Sequence, residues 1–294
     1  LDIVRRLPEE IVFIETDERM VTYIACGKVN YQIVGMSSVE YPDLPSFEQT
    51  DRITLNAKIL RDMIRQTVYA VSENTAKPIY TGSLYEIEDG VFKIIAIDGY
   101  RMAIRSENVD SESKNRFVVP GKTQHEVLKL LTDDEENTEI IIGQRHITFK
   151  IKNYRIISRL IEGTFIEYKS AIPKETKTEV VINTRTIIDA VERMSLLNND
   201  RIQSPVRCIF SDDEIKLSCT SAVGRANDVI SVPIIGESVE IGFNNRYILD
   251  ALKNADTDEI KLILNGSLTA MIVKPVKGDS YLSIVVPMRL ANEN

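Results

Sequence analysis

Two histidines, three cysteines and scattered carboxylates are the chain's stock of catalytic residue types, and their spacing argues against an active site. His125 and His146 are the only histidines in 294 residues. Neither belongs to an H-E-x-x-H pattern, and no G-x-S-x-G or G-x-G-x-x-G occurs, so structural roles are expected for both. Pro120-Gly121-Lys122-Thr123 ends like a phosphate loop, but the position of that motif's first glycine holds Arg116. A loop without that glycine does not wrap its amides around a phosphate, so the run reads as a strand end followed by a helix start. Cys26, Cys208 and Cys219 are odd in number and lack C-x-x-C spacing, which fits a reducing cytoplasm and argues against zinc. Asn265-Gly266-Ser267 reads as a turn, and Thr132-Asp133-Asp134-Glu135-Glu136 as a solvated loop. No metal, cofactor or catalytic residue is expected. The inventory points to a binding or scaffold protein.

The elements that carry these residues belong to an ordinary globular chain. Hydrophobic residues make up 43% and charged residues 27%, enough for two or three domains with cores of their own. No apolar run approaches the ~18 residues of a membrane span, and no targeting signal is read. The net charge of −8 argues, taken globally, against nucleic acid as a partner. Leu1 stands in what reads as the middle of a helix.

The chain repeats itself. Ile53–Ile64 and Val180–Val191 each run from a short apolar strand through an Asn (Asn56, Asn183) into an amphipathic helix, at an offset of 127. In both, a basic residue follows the Asn by two positions and an Asp by six. Glu88-Asp89-Gly90 through Ile94 matches Ser211-Asp212-Asp213 through Leu217 at offset 123, as the turn and second strand of a hairpin. Pro120 through Lys129 matches Asn244 through Lys253 at offset 124, and Asn30-Tyr31-Gln32-Ile33 matches Asn153-Tyr154-Arg155-Ile156 at offset 123. Strand alternation recurs in Ile140–Phe149 and Glu259–Val273. These matches predict an α+β fold of repeated modules, each with two helices on antiparallel sheet.

Charge follows the helices. The stretches 56–73, 122–131, 183–198, 244–255 and 1–7 together carry +4, which leaves −12 for the remainder. Helices form the basic surface of an acidic protein. Dispersed Lys and Arg suit a duplex backbone met without reading its sequence.

Five segments carry a resemblance to a known family. They are Ala96-Ile97-Asp98-Gly99-Tyr100-Arg101-Met102-Ala103, Tyr41-Pro42-Asp43-Leu44, Gly163-Thr164-Phe165-Ile166-Glu167-Tyr168, Glu240-Ile241-Gly242-Phe243-Asn244 and Val286-Pro287-Met288-Arg289-Leu290. Through them the chain resembles the bacterial sliding clamps, β subunits of DNA polymerase III, over essentially all 294 residues. The resemblance implies three modules per chain: 50–173 and 174–294 complete, and 1–49 the end of a first. At ~124 residues each, three modules need ~372, so ~75 are expected ahead of Leu1. It also implies a head-to-tail homodimer forming a ring around duplex DNA. That ring would be a non-catalytic, cytoplasmic processivity factor holding the replicative polymerase, the clamp loader and repair proteins through their peptides. A peptide-binding hub that does not encircle DNA is the alternative, because the first module is incomplete.

The resemblance carries site residues onto this sequence. A hydrophobic peptide cleft is implied between the second and third modules, with Tyr80, Ile97, Gly99, Tyr100, Arg101 and Met102 on one side. Ile166, Ser170 and Ala171 continue it, where the family often has Pro and a basic residue at the first two. The tail Ile284, Val285, Val286, Pro287, Met288, Arg289 and Leu290 completes it and runs four residues further. Met102, Val286 and Met288 are expected as soft walls. The dimer seam is implied on the strand Lys28–Val34, with Tyr31 and Ile33 packing against Leu196 and Leu197 of the other copy. DNA contacts are expected from the helix cations Arg5, Arg6, Lys58, Arg61, Arg65, Lys122, Lys129, Arg185, Arg193, Arg246 and Lys253, with Asn74 and Lys77 at the rim.

Overall fold

Apolar residues at every second position become strands here, and the 3.6-residue stripes become helices. The computed structural model describes residues 1–41, 51–132, 136–198 and 204–290. The expected motif positions 42–44, the acidic loop positions 133–135, the 49/50 module boundary and the tail 291–294 lie outside the described residues.

Leu1–Glu48 forms one unit. Its strands β1 (Phe13–Thr16), β2 (Val21–Cys26) and β3 (Val29–Val34) make an antiparallel meander in sequence order. The helix expected over 1–7 is a single 3-10 turn, Val4–Arg6. Pro8 disfavours helical backbone at Leu7, which is extended at ψ 141°. Tyr31 and Ile33 are exposed on β3.

Gln49–Asn294 forms the second unit and contains the element order twice. The first repeat runs β4 (Asp51–Asn56), α1 (Ala57–Val68), β5 (Gly82–Glu88), β6 (Val91–Ile97), β7 (Arg101–Asn108), β8 (Asn115–Pro120), α2 (Gly121–Leu130), β9 (Asn137–Ile142), β10 (His146–Ile151) and β11 (Tyr154–Arg159). The second runs β12 (Thr178–Asn183), α3 (Thr184–Ser195), β13 (Val206–Ser211), β14 (Glu214–Ser221), β15 (Gly224–Ser231), β16 (Ile234–Gly236), β17 (Val239–Phe243), α4 (Asn245–Lys253), β18 (Glu259–Leu264), β19 (Met271–Pro275) and β20 (Tyr281–Val285). The short β16 has no counterpart in the first repeat.

Local chemistry accounts for the repeat. Asn56, Asn183 and Asn244 each cap a helix by accepting from backbone N–H groups of its first turn. A cap contributes about 1 kcal/mol. Burying Leu60, Met63 and Ile64 on one face of α1 contributes about 1.5–3 kcal/mol each, so packing rather than capping holds the helix. Asp89-Gly90 and Asp212-Asp213 turn the β5–β6 and β13–β14 hairpins with all four residues at positive φ, the geometry that matches strand twist. The Asn-Tyr match at offset 123 is out of structural register. The β2–β3 hairpin turns at residues 27–28 and the β10–β11 hairpin at 152–153, an offset of 125, so Asn30 is within a strand and Asn153 in a turn.

One feature of the second unit has no local signal. A nine-stranded sheet, β16-β12-β18-β19-β20-β7-β6-β5-β8, runs through both repeats. They are joined where β20 pairs antiparallel with β7, Ser283 opposite Ala103. Four-stranded sheets β11-β10-β9-β4 and β15-β14-β13-β17 stand beside it. Helix pairs α1/α2 and α3/α4 pack on these sheets over two cores, one around Met63, Tyr85 and Phe149, the other around Val191, Phe210 and Tyr281. A third cluster fills the opposite face of the long sheet, because neighbours such as Leu84 and Tyr85 point to opposite sides. The linker between the repeats covers that face with Phe165 and Tyr168.

Candidate functional site

A cavity of about 650 Å³ opens where the two repeats meet. Tyr80, Ile97, Gly99, Tyr100, Arg101 and Ile166, expected from the sequence, all line it. The wall also includes Val71, Ser72, Glu73, Asp98 and Tyr247, which sequence reasoning missed, and Asn74, Lys77 and Arg246, expected instead to face DNA. Tyr247 had a signal. The stripe that α4 buries is Ile248, Ala251 and Leu252, and Tyr247 is an aromatic beside it.

The turn between β6 and β7 forms one wall. Asp98 Oδ1 accepts from the backbone N–H of Tyr100 (2.9 Å) and of Arg101 (3.0 Å), closing the turn. Gly99 sits at φ +97°, a conformation open to glycine, and its bare backbone borders the cavity. Tyr100 is exposed and stacks on Tyr247 with centroids 5.8 Å apart and planes 19° off parallel. The linker forms another wall. Phe165 meets Tyr80 edge to face at 5.7 Å, and the buried Tyr168 donates to Glu86 Oε1 at 2.7 Å. Burial and that carboxylate push the Tyr168 hydroxyl's pKa well up, so it stays a donor. Ser170 and Ala171 lie exposed on the 3-10 turn Tyr168–Ala171, where Ser170 Oγ donates to the Glu167 carbonyl.

The tail crosses from one repeat to the other. Val286 N–H donates to the Tyr100 carbonyl and Met288 N–H to the Gly242 carbonyl, each at 2.8 Å. Val286 and Arg289 are exposed, and Pro287, Met288 and Leu290 half-buried. Three residues expected on the cleft surface are corrected. Met102, Ile284 and Val285 are 4%, 4% and 0% exposed, so they are core. β7 and β20 pair there, which seals these side chains between the sheet and what packs on it.

Arg101 is corrected in role. Its side chain is 5% exposed and bonds within the protein. Nε donates to Asp98 Oδ2 at 2.8 Å, and Nη1 forms a short contact with Asp250 on α4. The guanidinium lies 4.6 Å from the Tyr247 ring centre and 5.4 Å from that of Tyr69. Burial lowers its pKa, but the bond to Asp250 and the charge of Asp98 more than reverse this. Below it, the Tyr69 hydroxyl lies 3.0 Å from that of Tyr281 and 2.9 Å from Ser283 Oγ. Desolvation pushes the Tyr69 hydroxyl up to about 12. Gln66 Nε2 donates to the Asn254 carbonyl at 3.0 Å, and Arg65 pairs with Asp256. The face of α1 meeting the second repeat is therefore polar and paired.

The helix cations share a pattern. Each helix carries a cation at its second residue: Lys58, Lys122, Arg185 and Arg246. None has an acid in its first turn. A cation at a helix's positive end costs about 0.3–1 kcal/mol, so four together run against stability. Each helix also has a cation in its last turn: Arg65, Lys129, Arg193 and Lys253. Several are already paired: Lys129 with Glu126, Arg185 with Asp189, Arg193 with Asp228, Arg246 with Glu73 and Lys253 with Glu192. Arg61 donates to the Leu131 carbonyl at 3.5 Å. Lys58 and Lys122 are exposed and form no ion pair among the described residues, as is true of Arg5, Arg6 and Lys77. Leu196 is 83% exposed, whereas Leu197 packs on the second repeat's core, so of the two leucines expected at the seam one is exposed. No cluster able to hold a metal ion occurs among the described residues.

Comparison with known proteins places these features. Residues 54–167 match the DNA polymerase III beta subunit central domain, and 169–289 its C-terminal domain. The beta sliding clamps of Halalkalibacterium halodurans and Bacillus subtilis are each 32% identical to the chain, over 98% of it and 78% of their own length. The crystal structure of the Bacillus subtilis DNA polymerase sliding clamp superposes at a TM-score of 0.95, covering 99% of this chain and 78% of that one. A Pseudomonas aeruginosa sliding clamp bound to griselimycin, 25% identical, superposes at 0.90 over 98% of this chain and 79% of its own.

Proposed function

The chain belongs to the β sliding clamp family, the β subunits of DNA polymerase III, and we propose from that premise how its parts serve the clamp's work on DNA. It acts as a ring-shaped homodimer around duplex DNA, giving persistence to the replicative polymerase. Residues 1–49, 50–173 and 174–294 are its modules, the first represented by its last three strands. It contributes no catalytic group of its own and works in the cytoplasm; no helix among the described residues is long and apolar enough to cross a membrane.

One observation carries the docking reading. Six residues named from the sequence converge on one cavity at the junction of the repeats, beside a tail strand hydrogen-bonded to both. Polymerases, the clamp loader and repair proteins dock there through short peptides. Tyr100, Tyr247, Ile166 and Val286 supply the apolar contact that such peptides need. Sliding asks for contacts without deep wells, and the cations at the helix ends, spaced along an otherwise acidic protein, supply them.

The dimer seam follows from the internal joint. β11, β20 and β3 are corresponding last strands, and β15 corresponds to β7. β3 and β15 both stand at sheet edges. A second copy's β3 laid on β15 repeats the β20–β7 pairing, which puts Tyr31 opposite Ala226 and Ile33 opposite Gly224. Leu197 lies within 4 Å of the space above Gly224, and Leu196 is exposed.

Griselimycin is the probe that tests the cleft. Met288→Ala with Leu290→Ala weakens its binding about tenfold or more, measured by calorimetry, and leaves the sedimentation mass unchanged. Loss of the dimer with unchanged griselimycin affinity would place these residues at the seam. A monomer that still binds would favour a hub that does not encircle DNA.

A further inference from the structure

Asp250 sits on α4, outside the residues that line the cavity, yet it holds the cavity's most deeply buried charge. Arg101 reaches it from the β6–β7 turn of the other repeat. The same guanidinium is fixed by Asp98 within the turn and lies against the Tyr247 ring. Tyr247 in turn stacks on Tyr100, the exposed aromatic of the cavity wall. The buried tie between the two walls is therefore this ion pair, beside the exposed Arg246–Glu73 pair at the rim. An arginine only 5% exposed between two carboxylates, with each ring contact in place, has no freedom to swing out to a ligand.

We propose that the Arg101–Asp250 pair is a positioning element of the cleft: it sets the spacing of Tyr100 and Tyr247 and thereby peptide affinity, without Asp250 touching the peptide. The idea rests on the cleft reading above. Removing Asp250's charge leaves Arg101 with Asp98 alone on its own repeat. α4 then loses its buried tie to the β6–β7 turn and keeps only its ties to α1 and Glu73, so its spacing from that turn loosens and the ligand must restore it at its own expense. The tail would not compensate. Its hydrogen bonds run to Tyr100 and Gly242, neither of them on α4.

The test measures griselimycin binding to the full chain by calorimetry, with fluorotyrosine resonances of Tyr100 and Tyr247 assigned by Tyr→Phe substitution. Asp250→Asn weakens binding about tenfold and shifts both resonances in the unliganded protein. Asp250→Glu, which keeps the charge, restores most of the affinity and the wild-type resonances. Arg101→Lys keeps the charge without the planar fork. It loses affinity to a similar degree, and in combination with Asp250→Asn no further. D250N binding within about twofold of wild type, or D250E as defective as D250N, overturns the proposal. So does an affinity loss with the Tyr247 resonance unmoved. Wild-type protein that does not bind griselimycin refutes the cleft reading itself, and the proposal with it.

Discussion

Gly242 lacks a side chain where the tail crosses the second repeat. A Cβ there would stand 2.6 Å from Leu290 Cδ2 and 3.0 Å from the Met288 carbonyl oxygen. The leucine tip can turn aside, but the carbonyl belongs to the strand that Gly242 itself pairs with. Gly242→Ala therefore lifts the tail off β17. Hydrogen exchange at the Met288 amide speeds up by about tenfold or more, while amides in β13 keep their wild-type rates. Unchanged Met288 protection would show that the tail is held elsewhere. At this scale the sequence was informative about segments and less so about side chains. The run Ala96–Ala103 stood out as a site, and Ile97, Gly99 and Tyr100 do border the cavity. Arg101 and Met102 do not present themselves to a ligand, because β7 is covered on both faces. That covering comes from the linker on one face and from α1, Tyr69 and Tyr247 on the other, segments distant in sequence and without local trace.

The helices carry a cation at the positive end at a cost to stability. Lys58, Lys122, Arg185 and Arg246 stand at the positive ends of their helices, each followed four residues later by an acid: Asp62, Glu126, Asp189 and Asp250. Cation before acid is the weaker order for such a pair. Stability alone does not favour that order; the proposed contact with a phosphate backbone accounts for it at Lys58 and Lys122, which form no ion pair among the described residues. Lys58→Gln with Lys122→Gln changes stability by less than about 1 kcal/mol, and toward greater stability, since neither lysine is in an ion pair among the described residues and each removal relieves a cation at a helix's positive end. The same double variant lowers the slope of log affinity against log salt on a short duplex by about 2. An unchanged slope would remove both lysines from the DNA surface. Helix starts and caps were legible in Asn56 and Asn183, and hairpin turns in Asp89-Gly90 and Asp212-Asp213, because these signals are local. The sheet shared by both repeats was not, because the β20–β7 registry depends on partners about 180 residues apart. Asn74, Lys77 and Arg246 also line the cavity, which their positions near helix ends did not signal: a polar group there says nothing about which neighbour closes over it.

Across the molecule, a net charge of −8 and a role on DNA are compatible once charge is sorted by element. The helix stretches are net positive, at +4, and the remainder of the chain is net negative, at −12. β3 and β15 are both edge strands, so in the proposed dimer the kind of strand joint that fuses two repeats within the chain recurs between two copies. A closed assembly holds DNA by topology, and persistence then does not require affinity. The direct measurement is the lifetime of the protein on DNA after assembly onto a nicked circle by its clamp loader, compared before and after the circle is cut at one site. Loss on linearisation, with long retention on the intact circle at a salt concentration that abolishes binding to a short duplex, is the predicted result. Equal retention on circular and linear DNA would contradict encirclement.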